Sequence, residues 1–156
     1  MRIDQFTQKS QDAIASAQQL AATRGHPEVR PLHLVHALLE DGQTTIHSLF
    51  AKLGVDVART RAAVDRELGR LPQSSGGNAN VSRPLMDVLT ESNAQAERLK
   101  DEYVSTEHLL LALLSKGSDA AGLLQQAGLS TDKVLGVLKD IRGNQRVTDQ
   151  NPEAKY

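Results

Sequence analysis

The sequence predicts an all-α domain: two pseudo-symmetric repeats of four helices each, about eight helices packed together. Three observations carry this. The chain repeats itself at an offset of 75 residues, so that Val29 falls on Val104, His33 on His108, Leu34 on Leu109 and Ala37-Leu38-Leu39 on Ala112-Leu113-Leu114. The apolar residues recur at intervals of three, four and seven, the period of an α-helix. The only aromatics are Phe6, Phe50, Tyr103 and Tyr156, so the core must be built from Leu, Val, Ile and Ala.

In the first helix of each repeat, Phe6, Ala13, Ala17, Leu20 and Ala21 line one face, and Leu85, Val88, Leu89, Ser92, Ala96 and Leu99 do the same in the second copy. A short, strongly apolar helix follows near 31–40 and 106–115. Pro31 suits a first helical position, where its missing N–H costs nothing. Ser105 is a good N-cap and Glu107 complements the dipole of the first turn. Gly42 and Gly117 are expected to end these helices in a left-handed turn. One residue then drops out, and the repeat resumes with Gly54 on Gly128. Third helices at about 44–53 and 119–127 stop at those two glycines. Asp56 and Ser130 cap fourth helices at about 57–69 and 131–142, with apolar stripes Val57, Val64, Leu68, Leu71 and Val134, Val137, Leu138, Ile141.

These elements divide the chain. A domain at 3–145 holds repeat 1 (about 6–71), a polar, glycine-containing surface connection (72–81) and repeat 2 (about 82–143). From 146 to 156 the sequence is polar and aperiodic, and reads as the start of a flexible linker.

Composition excludes several function classes. Eighteen basic residues face nineteen acidic ones, and the balance is nine to eight in residues 1–75 and nine to eleven in 76–156. Neither half is the basic field that nucleic acid attracts, and no nucleic-acid partner is expected. No apolar run is long enough to span a membrane. There is no cysteine, so no disulfide or thiolate chemistry. That fits a cytoplasmic setting.

No reactive constellation emerges. His33 and His36 stand three apart, near ligand spacing, but no carboxylate completes a metal-binding set. The recurrence of His33 as His108 at the third helical position points instead to a contact with the helix start or packing between helices. His26 and His47 read as isolated and solvated. There is no nucleophile elbow and no phosphate-cradling loop. The chain as given is therefore expected to be no enzyme, with no metal and no cofactor of its own.

Arg30-Pro31-Leu32-His33-Leu34 and Ser105-Thr106-Glu107-His108-Leu109-Leu110-Leu111-Ala112-Leu113-Leu114 resemble the two signature segments of the Clp repeat domain. That domain stands at the N-terminus of Clp-type AAA+ unfoldases. The opening Met1-Arg2-Ile3-Asp4-Gln5-Phe6-Thr7, the connector Arg70-Leu71-Pro72 and the exit Arg146-Val147-Thr148-Asp149-Gln150-Asn151-Pro152-Glu153 are most similar to the ClpB-type disaggregases. The ClpA and ClpC type, whose N-domain docks adaptors for a protease, is the alternative.

The resemblance implies a substrate-engaging module that binds unfolded or aggregated polypeptide. It passes that polypeptide to a hexameric ATPase ring working with the DnaK system. ATP and magnesium would belong to modules beyond this fragment, which is itself expected to be a monomer. It also implies substrate-binding roles for Thr7, Asp101 and Glu107. Tyr103 and Leu110 are the apolar contributors to a groove where Glu91, Gln95 and His108 are polar. The difference between Arg30-Pro31-Leu32 and Ser105-Thr106-Glu107 marks the second copy as the expected contact surface.

Overall fold

The computed structural model describes residues 3–74, 78–116, 119–143 and 145–152. Eight α-helices follow one another among them. The first repeat holds α1 (Gln8–Thr23), α2 (Pro31–Glu40), α3 (Thr45–Leu53) and α4 (Val57–Gly69). The second holds α5 (Arg83–Arg98), α6 (Thr106–Lys116), α7 (Asp119–Ala127) and α8 (Thr131–Arg142). Two-residue strands β1 (Glu28–Val29) and β2 (Asn80–Val81) complete the described elements, with a 3-10 turn at Ile3–Gln5.

Local chemistry explains the boundaries. Asp56 accepts a hydrogen bond from the Arg59 N–H at 3.2 Å and Ser130 one from Lys133 at 3.2 Å, so both fourth helices begin where a capping oxygen stands. Gly54 and Gly128 close the third helices at φ 70° and 113°, in the region that favours glycine. Gly42 behaves otherwise. It has no positive φ; α2 ends at an extended Asp41, whose Oδ1 accepts from Gln43 N–H in a local turn. Gly117 lies outside the described residues.

The core is centred on α2 and α6. Every residue of α6 from Thr106 to Leu114 is buried, as are Pro31–Leu39 of α2 apart from His36. A helix apolar on all sides belongs inside, and the other helices wrap these two with the stripes expected. Ala13, Ala17, Val64, Leu68, Leu85, Val88, Val134 and Leu138 are buried, while Leu71, Val137 and Ile141 are half-buried at the margin.

The repeats do not fold as separate stacked units. Helix α3 packs on α8 and α4 on α7, while α2 and α6 each touch the partner repeat's third helix. The strands show the same exchange. Val29, before α2, pairs in parallel with Val81, before α5, and Phe6, before α1, pairs with Val104, before α6. Adding 75 to Phe6 gives Val81 and to Val29 gives Val104, so the two bridges are one contact related by the internal two-fold axis. Helical periodicity says which face is apolar but not which neighbour covers it.

The segments expected to be flexible are tied down where described. Ser74 N–H donates to the Gly25 carbonyl at 2.8 Å and Asn80 N–H to Pro27 at 3.0 Å, which pins both ends of the inter-repeat connection; residues 75–77 lie outside the described set. Beyond α8, residues 145–151 form a strap instead of a free linker. Glu102 N–H donates to the Val147 carbonyl and Gln8 N–H to Gln150, each at 2.8 Å, and Val147 is fully buried. The strap thereby ties the start of the first repeat to the second.

Candidate functional site

The histidines are the first side chains the fold gives a role. In both copies the ring three residues into the central helix turns back on the helix start. His33 Nδ1 accepts from Arg30 N–H at 2.8 Å, and His108 Nδ1 from Ser105 N–H at 2.8 Å. This is the returning half of a capping box, with histidine where glutamate is usual. Because each Nδ1 is an acceptor, each Nε2 carries the proton.

In the second copy that proton is donated to Asp101 Oδ2 at 2.7 Å; in the first it is donated to His26 Nδ1 at 2.8 Å. His26 and Asp101 are 75 residues apart, the repeat offset. His26, expected to be solvated, is buried, and His47 is bonded to the Leu39 carbonyl at 2.9 Å. His33 and His36 do not converge: His36 faces Asp65 at 3.4 Å and Glu40 at 3.7 Å, while both nitrogens of His33 are engaged. Among the described residues no group of three or more histidines and carboxylates is placed to hold a metal.

Asp101 is a buried hub. Its carboxylate accepts from His108, from Arg142 Nη2 and from Val147 N–H at 2.9 Å. Burial pushes the carboxyl up, but these three donors outweigh it and hold it down at about 2. Thr7 and Glu107 are equally enclosed. Thr7 caps α1, accepting from Ser10 N–H at 3.2 Å and donating to Ser10 Oγ at 3.0 Å, and Glu107 accepts from Thr45 Oγ1 at 3.0 Å.

The structure places Thr7, Asp101 and Glu107, the expected substrate contacts, among the side chains of the packed interior. Leu110 is core as well; Tyr103 alone of the expected residues is partly accessible. Thr7→Ala is expected to cost about 1 kcal/mol in thermal unfolding, the loss of an N-cap. A substrate contact would instead show as weaker peptide binding at unchanged stability.

Open surface lies on the other copy. Arg30, Pro31 and Leu32 at the start of α2 face Ser82, Pro84 and Ala120 across a cavity of about 270 Å³. From Leu32 and Asp119 the depression continues between α4 and α7 as a groove of about 570 Å³, with Leu71, Leu123 and Ala63 among its apolar lining. Arg66 on its wall and Arg59 further along make no ion pair among the described residues, whereas Arg70 is held by Glu67 at 3.4 Å. Val81 and Met86, which flank Ser82 and Pro84 in the chain, are two of the three large apolar side chains exposed among the described residues.

The two-fold axis explains why only one side is open. The counterpart of Leu32 is Glu107 and that of Asp119 is Thr45, and these two close on each other in the hydrogen bond above. Around Lys9 and Thr106, the counterparts of Pro84 and Pro31, only about 30 Å³ remains. The sequence difference between the copies therefore marks a difference in surface: open beside Leu32, closed beside Glu107.

The described residues form an all-helical domain with an open groove between its halves. The chain belongs to the Clp repeat (R) N-terminal domain family, whose profile matches residues 5–127. Chaperone protein ClpB of Rhodopirellula baltica is 43% identical over 158 residues, covering 99% of this chain and 18% of that protein. Other curated relatives are ClpB chaperones too, which favours the ClpB type over the ClpA and ClpC type. The chain spans about a fifth of the length of the curated relatives it matches.

Among solved structures, the Hsp104 N-terminal domain from Candida albicans superposes with a TM-score of 0.83 at 26% identity, covering 95% of this chain and 98% of that one. A ClpV N-domain in complex with VipB peptide shares the fold, with a TM-score of 0.72 at 19% identity over 88% of this chain and 86% of that one. No described helix is long and apolar enough to cross a membrane.

Proposed function

We propose that this domain transiently engages unfolded or aggregated polypeptide for a ClpB-type, ATP-dependent disaggregase. It holds the segment in the groove between α4, α7 and the start of α2. The observation that carries this is the groove itself: open, several hundred Å³ in volume, and lined by Leu32, Leu71 and Leu123. An open, concave surface with apolar side chains set among charged ones is the usual form of an interaction site. The peptide complex of a domain with the same fold supports a peptide as occupant.

Arg66, which makes no ion pair among the described residues, lends the groove polar tolerance, and so open a surface makes the binding weak and insensitive to sequence. A tethered weak binder raises the local concentration of substrate beside the ring without holding it there. In this reading ATP and magnesium act in modules beyond the residues described. The hexameric ring forms there and the DnaK system meets it there, the N-domain is a monomer, and the protein works in the cytoplasm.

Titration with a permanently unfolded protein, followed by methyl NMR, tests the proposal. Shifts are expected at Leu32, Leu71 and Leu123. Leu71→Ser with Leu123→Ser is expected to weaken binding about fivefold, in line with the loss of two apolar contacts. Shifts confined to the Tyr103 side, or binding unchanged in the double variant, would move the site elsewhere.

A further inference from the structure

A second depression lies beyond the substrate groove, along the last turns of α8. Leu99, Leu135 and Leu138 form its apolar floor, and Lys139, Arg142 and Arg146 its rim; the space is about 350 Å³ and no carboxylate among the described residues lines it. Arg142 is spoken for by the buried Asp101, and Arg146 donates to the Leu99 carbonyl at 2.8 Å while remaining exposed. Lys139 is exposed and makes no ion pair among the described residues.

Cations in a last turn complement the helix dipole, which alone accounts for their presence but not for the leucines beside them. The first copy supplies the contrast. Leu99 corresponds to Arg24, Leu135 to Arg61 and Lys139 to Asp65. There Arg24 and Asp65 close on each other at 3.0 Å, Asp65 also faces His36 at 3.4 Å, and Arg61 lies 3.7 Å from Glu40. The first copy covers this surface with its own ion pairs. The second replaces the pairs with two leucines and a lysine and leaves the carboxylate out.

We propose that the α8 groove docks an acidic segment of a separate polypeptide. One or two leucine-like side chains of that segment enter the floor, and its carboxylates lie over Lys139 and Arg146. The volume suits that size of anchor, and the rim charge selects acidic flanks over basic ones. The site differs from the substrate groove in place and in chemistry. It is charge-selective where the other is not, and it borders the strap through which the chain leaves the domain.

The probe is the blocked peptide acetyl-Asp-Leu-Leu-Glu-amide, added to the full chain and read by methyl NMR. Shifts are expected at Leu99, Leu135 and Leu138, weakening as salt rises and by about threefold in Lys139→Glu, the size of effect an exposed charge pair carries. Lys139 is exposed and outside every hydrogen bond named here, so that variant folds. The analogue with lysine flanks should leave these methyls unmoved.

Equal binding of the two peptides, insensitivity to salt and to Lys139→Glu, or shifts along α4 and α7 alone would each overturn the proposal. So would phosphatidylglycerol vesicles perturbing these methyls when the acidic peptide does not, which would assign the surface to a membrane. Failure of the substrate groove in its own titration leaves these outcomes unaffected.

Discussion

Asp101→Ala is expected to destabilise the domain by about 3–5 kcal/mol, the range for removing one partner of a buried charged pair. The mechanism is the orphaning of donors, more than the loss of a contact. Arg142, the Nε2–H of His108 and the Val147 N–H converge on one carboxylate from α8, α6 and the strap, and in the variant all three lose that acceptor. Asp101→Asn keeps the shape and one acceptor oxygen, so it should cost less. Urea unfolding measures both variants. Amide exchange adds a local readout: protection at Val147 and Glu102 should fall in Asp101→Ala before global unfolding does, because the strap loses its side-chain anchor. A loss below about 1 kcal/mol would mean that the carboxylate is a surface group after all.

Acidification from pH 6.5 to 4 is expected to remove about 3 kcal/mol through His33 alone, at about 1.4 kcal/mol per pH unit. Burial lowers the His33 pKa to about 4, assisted by the charges of His26 and Arg30, and the pKa of His26 is lowered by burial, then by Arg24 and Arg30. The geometry agrees. Arg30 N–H points at His33 Nδ1, and the Nε2–H of His33 points at His26 Nδ1, so an added proton on either acceptor would set two donors face to face.

The unfolded chain takes up these protons near pH 6.5 and the folded chain does not. Stability is therefore intact above that value and falls as pH falls toward 4. Asp101 has the opposite ionisation but the same direction in acid: its contribution holds above about 3.9 and is lost as pH drops toward 2. Urea midpoints at pH 7, 5.5 and 4 check the histidine window. His26→Gln keeps an acceptor for His33 while removing one titrating ring, so its profile should be flatter. A wild-type midpoint that does not move between pH 7 and 4 would rule out the neutral pair.

The helices were legible in the sequence because their signals are local. Ser130, Asp56, Gly54 and Gly128 act within four residues of themselves, and an apolar stripe states its own period. The role of Asp101 was not legible. An aspartate between polar neighbours reads as solvated, and its partners Arg142 and Val147 stand 41 and 46 residues away. The strap was missed for a related reason: it is held chiefly by backbone bonds, which leave no pattern in side-chain type. His26 had a signal that could have been used, since it falls on Asp101 at the repeat offset and His33 falls on His108. A position that holds a hydrogen-bonding side chain in both copies is a candidate for contact with a histidine that recurs in both. The groove was half legible. The contrast of Leu32 with Glu107 pointed to it, but charge did not tell which side is open, because a glutamate that closes a gap looks the same in sequence as one that faces it.

The exchanged bridges, Phe6 with Val104 and Val29 with Val81, have a consequence for what half of this chain could be. A lone repeat would carry two unpaired segments, one at each end of its first helix, and bare faces on its second, third and fourth helices, with nothing of its own to cover them. A second copy, arriving as a separate molecule, is what would satisfy every one of those groups at once, through a symmetric exchange of the kind that builds intertwined dimers. The connection at 72–81 makes that partner permanent. The domain is physically a dimer written as one sequence, and covalent linkage is what let its two faces diverge, one sealed by Glu107 and Thr45, the other left open.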